Sequence, residues 1–270
     1  MAHEREHLAL RQHLGLQTAK TGQDVMRVVR SLPGREGPTD PVPFMQRYFE
    51  VEGINVRTEI VKYPNSNKVL ILAPNHFSRR RVFTTQESWY ALVLTTLAAK
   101  QACISTSHVA WFSLRLNSHR LERFDRKKFR ETQNAAIKAF QWIPVELNGE
   151  GRLKNLGEMA GITKNASDSG QHIGYFPEQK PSHTLDRYHN AFPKFLKFMQ
   201  LLDHPIQIIP TSIHFEGKTG HATFGCPIDF NTDTDINITA RCTMIEIARN
   251  LPSKLRGHYK KAASSTTIGR

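Results

Sequence analysis

Short apolar runs alternate with longer amphipathic segments along most of the chain. The runs have the length and composition of buried strands, and they are KVLILA (68–73), ACIST (102–106), WIPVEL (142–147), HIGYF (172–176), PIQIIPTSIHF (205–215) and HATFGCPIDF (221–230). The segments between them predict helices at 86–100, at 126–140, within 151–170 and at 190–204. Short strands separated by helices are typical of a sheet that helices cover. The sequence therefore predicts a mixed α/β fold with a largely parallel central sheet flanked by helices.

The first part of the chain has a different pattern. Residues 1–32 carry leucine and valine at roughly helical spacing among polar residues, which predicts an N-terminal helical segment. Such a helix either lies on a membrane surface or packs on the protein's own core, and both interpretations stay open. LPGREGPTDPVP (32–43) predicts a linker, and RYFEVEGINVRTEIV (47–61) reads as extended chain. We expect three parts: a helical segment with linker (1–40), an α/β domain (41–255) and a flexible tail (256–270).

The composition limits which cellular compartment and which classes of binding partner the chain suits. The chain of 270 residues has 37 Lys and Arg against 24 Asp and Glu, a formal charge of +13, which favours phosphate groups, anionic membrane surfaces or nucleic acid. Cys103, Cys226 and Cys242 are far apart and form no CxxC pair, which argues for a reducing compartment. No apolar stretch has the length of a membrane span, and MAHEREHLALRQH lacks the apolar core of a signal peptide. We expect a cytoplasmic protein.

Polar loops follow three of the predicted strands. PNHFSRRR comes after 68–73, LNGEGR after 142–147, and PEQKPSH after 172–176. The carboxyl ends of parallel strands meet at one edge of a sheet, where ligands usually bind. We therefore expect His76, Glu178 and several basic groups to share one site.

Several fragments in these loops and strands also resemble a known family. In chain order they are VEGINV, VLILAPNHFS, WIPVEL, GYFPEQKPS, IIPTSI and FGCPIDF. Their order and spacing, over about residues 48–230, resemble the glycerolipid acyltransferases of the 1-acylglycerol-3-phosphate and glycerol-3-phosphate acyltransferase superfamily. The resemblance implies transfer of a fatty acyl group from acyl-CoA or acyl-carrier protein to a hydroxyl of glycerol phosphate or a lysophospholipid. It implies no metal and no cofactor beyond that co-substrate.

The family's site residues carry over onto matching positions. The resemblance implies that His76 is the general base that takes the proton of the acceptor hydroxyl, and that Pro210 matches the last motif. Asn75 would shape the turn around the histidine. The residues implied or expected to contact substrate are Asn75, Ser78, Arg79, Arg81, Phe176, Pro177, Glu178, Lys180 and Arg187.

The chain departs from the family at the partner of the histidine. Arg81 stands where the family has the aspartate that orients the imidazole, and an arginine cannot accept that hydrogen bond. If FTTQE is an insertion, Glu87 takes the place of the aspartate, directly before SWYALVL of the helix predicted at 86–100. In addition, Glu146 and Leu147 replace an expected Asp-Arg pair, and FPEQKPS lacks the Gly-Thr-Arg of the family loop.

Three functions follow from these observations. The first is a membrane-peripheral acyltransferase of glycerophospholipid biosynthesis at the inner face of the membrane, with His76 and Glu87 as its catalytic residues. The second is a degenerate relative that binds phospholipid without acyl transfer, which the departures motivate. The third is a nucleic-acid-binding module. It is motivated by the basic pI and by the run RLERFDRKKFRE (120–131), but the sequence has no recognisable DNA- or RNA-binding motif. We expect no nucleic-acid partner.

Overall fold

The computed structural model describes residues 14–32, 39–65, 67–77, 85–104, 109–114, 126–145, 156–179, 182–202 and 204–265. Its helices are α1 (Gly22–Arg30), α2 (Val42–Glu52), α3 (Thr85–Gln101), α4 (Arg126–Ala139), α5 (Leu156–Asp168), α6 (Ala191–Gln200), α7 (Ile236–Arg249) and α8 (Lys260–Ser264). Its strands are β1 (Asn55–Ile60), β2 (Val69–Pro74), β3 (Val109–Leu114), β4 (Ile143–Val145), β5 (His172–Gly174), β6 (Ile206–Glu216), β7 (Thr219–Phe224) and β8 (Ile228–Phe230). Short 3₁₀ turns cover Ser253–Leu255 and Gly257–Tyr259.

The chain divides into two compact units. One comprises Met1–Asn55 and Ala110–Met159, and the other comprises Val56–Val109 and Ala160–Arg270. The sheet is largely parallel, since β2 pairs in parallel with β5 and β6, and β3 pairs in parallel with β4. Helices connect these strands along the chain. The predicted mixed α/β fold, with a largely parallel sheet flanked by helices, is therefore confirmed.

In the first unit, helix α1 packs on the protein itself. A capping box of Thr21 and Asp24 begins the helix, and its apolar face buries Val25 and Val29. Arg30 donates a hydrogen bond to Thr132 of α4 at 2.7 Å. For this helix the structure favours packing on the core over the membrane surface; residues 1–13 lie outside the described part.

The second unit is built around strand β2. All of its residues are buried, and it runs parallel to β5 on one side and to β6 on the other. β7 and β8 pair antiparallel with β6. Because side chains alternate along a strand, Phe215 meets Tyr90 of α3 on one face of β6, while Ser212 bonds the carbonyl of Ile247 of α7 on the other.

Several predicted elements differ from the observed ones. Residues 47–52, predicted as extended, belong to α2, which buries Met45, Tyr48 and Phe49 at helical spacing and ends at Gly53 with φ +63°. ACIST is not a strand where it is described, since residues 102–104 form a turn after α3 and β3 begins at Val109. Helix α7 was not predicted.

The C-terminal part of the chain also differs from the expectation. Residues 257–264, expected within a flexible tail, form a 3₁₀ turn and helix α8, and Tyr259 is buried. Among the described residues, no helix is long and apolar enough to cross a membrane.

Candidate active site

The turn after β2 is built by Asn75. Its side-chain amide donates to the carbonyl of Ile213 at 3.0 Å, and its side-chain oxygen accepts the N–H of Ile213 at 2.7 Å. Both bonds are buried. They link the end of β2 to β6 in the way that one more pair of backbone hydrogen bonds between the two strands would. This fixes the direction in which the chain leaves the strand, and the next residue is His76.

The loop after β5 meets the loop after β2 through one carboxyl group. Glu178 is 5% exposed, and its Oε2 accepts the backbone N–H of His76 at 2.6 Å. Its Oε1 accepts the backbone N–H of Asp186, also at 2.6 Å. Ser182 donates its N–H to the carbonyl of His76 at 2.8 Å, so the His76 backbone is held on both sides. The expected association of His76 with Glu178 is present, and it runs through the backbone of the histidine.

The imidazole of His76 stacks on the ring of Phe176. The ring centroids are 4.4 Å apart and the planes are inclined by 26°. Both ring nitrogens are buried, and neither has a partner of hydrogen-bond geometry among the residues that the structure describes; a backbone group of Gln179 lies close enough to favour the charged ring. Buried polar atoms are almost always paired, so an unpaired imidazole is a feature that requires an explanation.

Burial shifts the pKa of both groups in opposite directions. Loss of solvent lowers the pKa of His76 from 6.5 to about 4, and a backbone group of Gln179 offsets part of that shift. Burial raises the pKa of Glu178 from 4.5 to about 8, against the two backbone N–H bonds that favour its charged form. At neutral pH the imidazole is therefore uncharged and most of the Glu178 population carries its proton.

The other expected residues of the PEQKPSH loop occupy different positions. Pro177 is buried, and its carbonyl accepts the N–H of His189 at 2.8 Å. Arg187 is exposed, and its Nε donates to Nδ1 of His258 at 3.4 Å. Pro210 lies within β6, opposite Ala73 of β2.

Several expected site residues lie outside the described part of the chain: Ser78, Arg79, Arg81 and Lys180. Glu87 belongs to α3, but its side chain is not among those described. Their roles, and that of Glu87 as the orienting carboxylate, stay predictions. The described residues hold no cluster of three His, Cys, Asp or Glu side chains arranged for a metal ion.

An open cleft of about 420 Å³ lies elsewhere in the second unit. Its lining includes Arg57, Asn250 and the stacked pair His214 and His221, whose ring centroids are 4.7 Å apart. Neither His76 nor Glu178 lines it. We place the candidate site at His76, because there the buried imidazole lacks partners, whereas each ring nitrogen Nε2 of the cleft pair lies 3.8 Å from Glu216.

Sequence reasoning missed Asp186 and the residues that hold the chain next to it. Leu185, directly before Asp186, exchanges backbone bonds with the segment around Gly257. These contacts use backbone atoms, so no side-chain motif in the sequence predicts them. A glycine between the polar residues Arg256 and His258 was the one available signal.

Comparison with known proteins adds one structural similarity. No protein-family model matches the chain, and no curated protein sequence matches it. Among solved structures, the chain is similar to the 1-acyl-sn-glycerophosphate (LPA) acyltransferase PlsC from Thermotoga maritima. The sequences are 13% identical, the TM-score is 0.48, and the alignment covers 98% of this chain and 90% of that chain. A similarity of this size does not say which residues act, so function is argued from the surroundings of His76.

Proposed function

We propose that the protein is an acyltransferase that moves a fatty acyl group from acyl-CoA or acyl-carrier protein to a hydroxyl of glycerol phosphate or a lysophospholipid. His76 is the general base. It removes the proton of the acceptor hydroxyl, whose oxygen attacks the thioester carbonyl while the thiolate leaves and takes up a proton. The motif order in the sequence supports this proposal, together with the state of the His76 side chain.

The observation that carries the proposal is the unpaired, uncharged imidazole of His76. A general base must be unprotonated and must have a nitrogen lone pair that no other group uses. The lowered pKa of His76 meets the first condition at neutral pH, and the lack of partners among the described residues meets the second. His76 is held at the end of β2 by the stacking of its ring on Phe176 and by the hydrogen bond from its own backbone N–H to Glu178.

A carboxylate partner would complete the base. A negative charge beside an imidazole raises its pKa toward neutrality, where general bases work best. We assign this role to Glu87, which follows the His76 loop at the start of α3. With Glu87 in place, one imidazole nitrogen donates to the carboxylate and the other faces the acceptor hydroxyl.

Basic residues near the loops would bind the anionic parts of the substrates. Arg79, Arg81 and Lys180 flank the His76 and Glu178 loops in sequence, and the exposed guanidinium of Arg187 lies on the second loop. Arginine suits phosphate because its planar group donates two parallel hydrogen bonds. The charge of +13 suits a peripheral position on an anionic membrane, where lipid acceptors reside.

The second candidate is a degenerate relative that binds phospholipid without chemistry. One observation favours it: among the described residues, no carboxylate contacts the His76 ring. Such a protein would keep the lipid site and lack the orienting partner.

An assay of the wild-type protein separates the two candidates. Free thiol released from acyl-CoA is measured with and without lysophosphatidic acid, glycerol 3-phosphate or another lysolipid. The same measurement uses acyl-carrier protein as donor. Release that depends on an acceptor supports acyl transfer. Binding to lipid vesicles with no release from any donor and acceptor pair would overturn it in favour of the phospholipid-binding relative.

A further inference from the structure

The C-terminal segment (residues 253–259) is hydrogen-bonded to the loop that follows Glu178. Leu185 donates its N–H to the carbonyl of Leu255 at 2.8 Å, and His258 donates its N–H to the carbonyl of Leu185 at 3.0 Å. Leu185 is buried, as are Leu255 and Tyr259 of the segment. Segment and loop are therefore joined by two backbone bonds and an apolar contact.

Gly257 lies at the closest point of this contact. Its φ is +47°, in the left-handed region that favours glycine. A Cβ at this position would overlap the carbonyl oxygen of Leu185 and lie 3.0 Å from its nitrogen. Only a residue without a side chain allows the segment to approach the loop this closely.

The contact continues to the candidate base through backbone bonds. Leu185 is followed by Asp186, whose N–H donates to Oε1 of Glu178, and Oε2 of the same carboxyl group accepts the N–H of His76. A displacement of Leu185 would therefore move the N–H of Asp186, which is the hydrogen-bond donor to Oε1 of Glu178.

Two side-chain contacts reinforce the same connection. Nε of Arg187 donates to Nδ1 of His258, which joins the loop to the segment a second time. Tyr259 lies close enough to Tyr188, Glu178 and Arg187 for these residues to act on its pKa, which burial raises. The C-terminal segment therefore packs beside the residues that hold His76.

We propose that the C-terminal segment positions His76, and that Gly257 is the positioning residue that makes this possible, acting through Leu185, Asp186 and Glu178. The catalytic part of this inference rests on the proposed function; the physical connection does not.

The test is Gly257→Ala with Gly217→Ala as its matched control. Gly217 has φ +58° and no atom within 4 Å of an added Cβ, so both variants place alanine in the left-handed region and only the first one overlaps a neighbour. In Gly257→Ala we expect the backbone amide signals of His76 and Asp186 to shift in the NMR spectrum and their hydrogen exchange to accelerate. The control leaves both unchanged.

Kinetics then tests the link to catalysis. Misplacing a catalytic group by a fraction of an ångström to an ångström costs about 10- to 100-fold in rate. We expect kcat to fall by that factor in Gly257→Ala, whereas Gly217→Ala keeps the wild-type kcat. If no acyl transfer occurs in the wild type but the amide signals move, the positional connection stands and the proposed function fails.

Glu178→Gln keeps the inference testable if Gly257→Ala does not fold. Coupling between two positions is reciprocal, so this substitution should accelerate exchange of the Leu185 and His258 amides. Its matched control is Glu52→Gln. The carboxylate of Glu52 lies in the other unit and also accepts a backbone N–H, from Gly22 at 3.1 Å. A folded Gly257→Ala with unchanged His76 signals, or Glu178→Gln with unchanged Leu185 and His258 exchange, would overturn the inference.

Discussion

Glu178 holds His76 by its backbone and not by its ring: Oε2 of the buried carboxyl group accepts the His76 N–H at 2.6 Å. The imidazole is thereby left without a partner among the described residues, while its position is fixed by two loops at once. The histidine is thus placed through its backbone, and this contact uses neither ring nitrogen. It also makes Glu178 a determinant of stability that depends on pH.

Stability should therefore fall on the alkaline side because of Glu178. Its pKa rises to about 8 in the folded protein from 4.5, so its contribution is full below about pH 4.5 and is lost as the pH rises through 8. The free energy of unfolding should decline by about 1.4 kcal/mol per pH unit near pH 6.5, and the slope should fall to about half of that at pH 8. Urea unfolding of wild type and Glu178→Gln across this range measures it.

Glu178→Gln cannot titrate, so its stability should stay level over the same range. The groups that act on Glu178 are the carboxyl of Asp186 and the backbone N–H groups of His76 and Asp186, and Glu178→Gln changes none of these groups. Parallel declines in wild type and variant would show that another group is responsible.

The imidazoles of His76 and His172 should remain uncharged well into the acidic range. Burial lowers the pKa of each from 6.5 to about 4. Their contribution to stability is present above about pH 6.5 and is lost as the pH falls through 4. The ring proton signals of His172 in the wild type and of His76 in Glu87→Gln, followed by NMR from pH 8 to 4, should stay constant above about pH 5.

In Glu87→Gln, a His76 signal that titrates near pH 6.5 would show that burial does not lower the pKa of this ring. If a carboxylate such as that of Glu87 meets the ring, Glu87→Gln should lower the measured pKa of His76.

Asn75→Ala should destabilise the protein and disturb the His76 turn. The substitution removes two buried bonds and leaves the N–H and carbonyl of Ile213 unpaired, which costs about 2–4 kcal/mol. Chemical unfolding measures the loss. Asn65→Ala is the control, because its exposed side chain bonds only the N–H of Asn67 within the same turn. A loss for Asn75→Ala no larger than that of the control would contradict the bridging role of Asn75.

The sequence predicted what depends on contiguous residues. The run at 68–73 overlaps β2, and the polar residues after the run follow the end of this strand. The prediction was correct because a short apolar run between polar residues favours a buried strand. Residues 47–52 were misread because tyrosine, phenylalanine and valine favour strands, while the burial of Met45, Tyr48 and Phe49 on one face made the helix more stable.

The contacts that complete the site were not predictable in the same way. Glu178 bonds a backbone N–H 102 residues away, and Leu185 bonds Leu255 and His258 through backbone atoms that every residue has. The motif that implied a substrate role for Glu178 could not show that both of its oxygens are used by backbone amides. Only the folded chain brings these groups together.

The central claim is that the uncharged imidazole of His76 is the base in acyl transfer. It is tested most directly by the rate of acceptor-dependent thiol release from acyl-CoA in purified His76→Ala, with His204→Ala as the control. Loss of general-base catalysis costs about 10²- to 10⁴-fold, and we expect His76→Ala to lose that factor while His204→Ala keeps the wild-type rate. A folded His76→Ala that retains the wild-type rate would contradict the assignment.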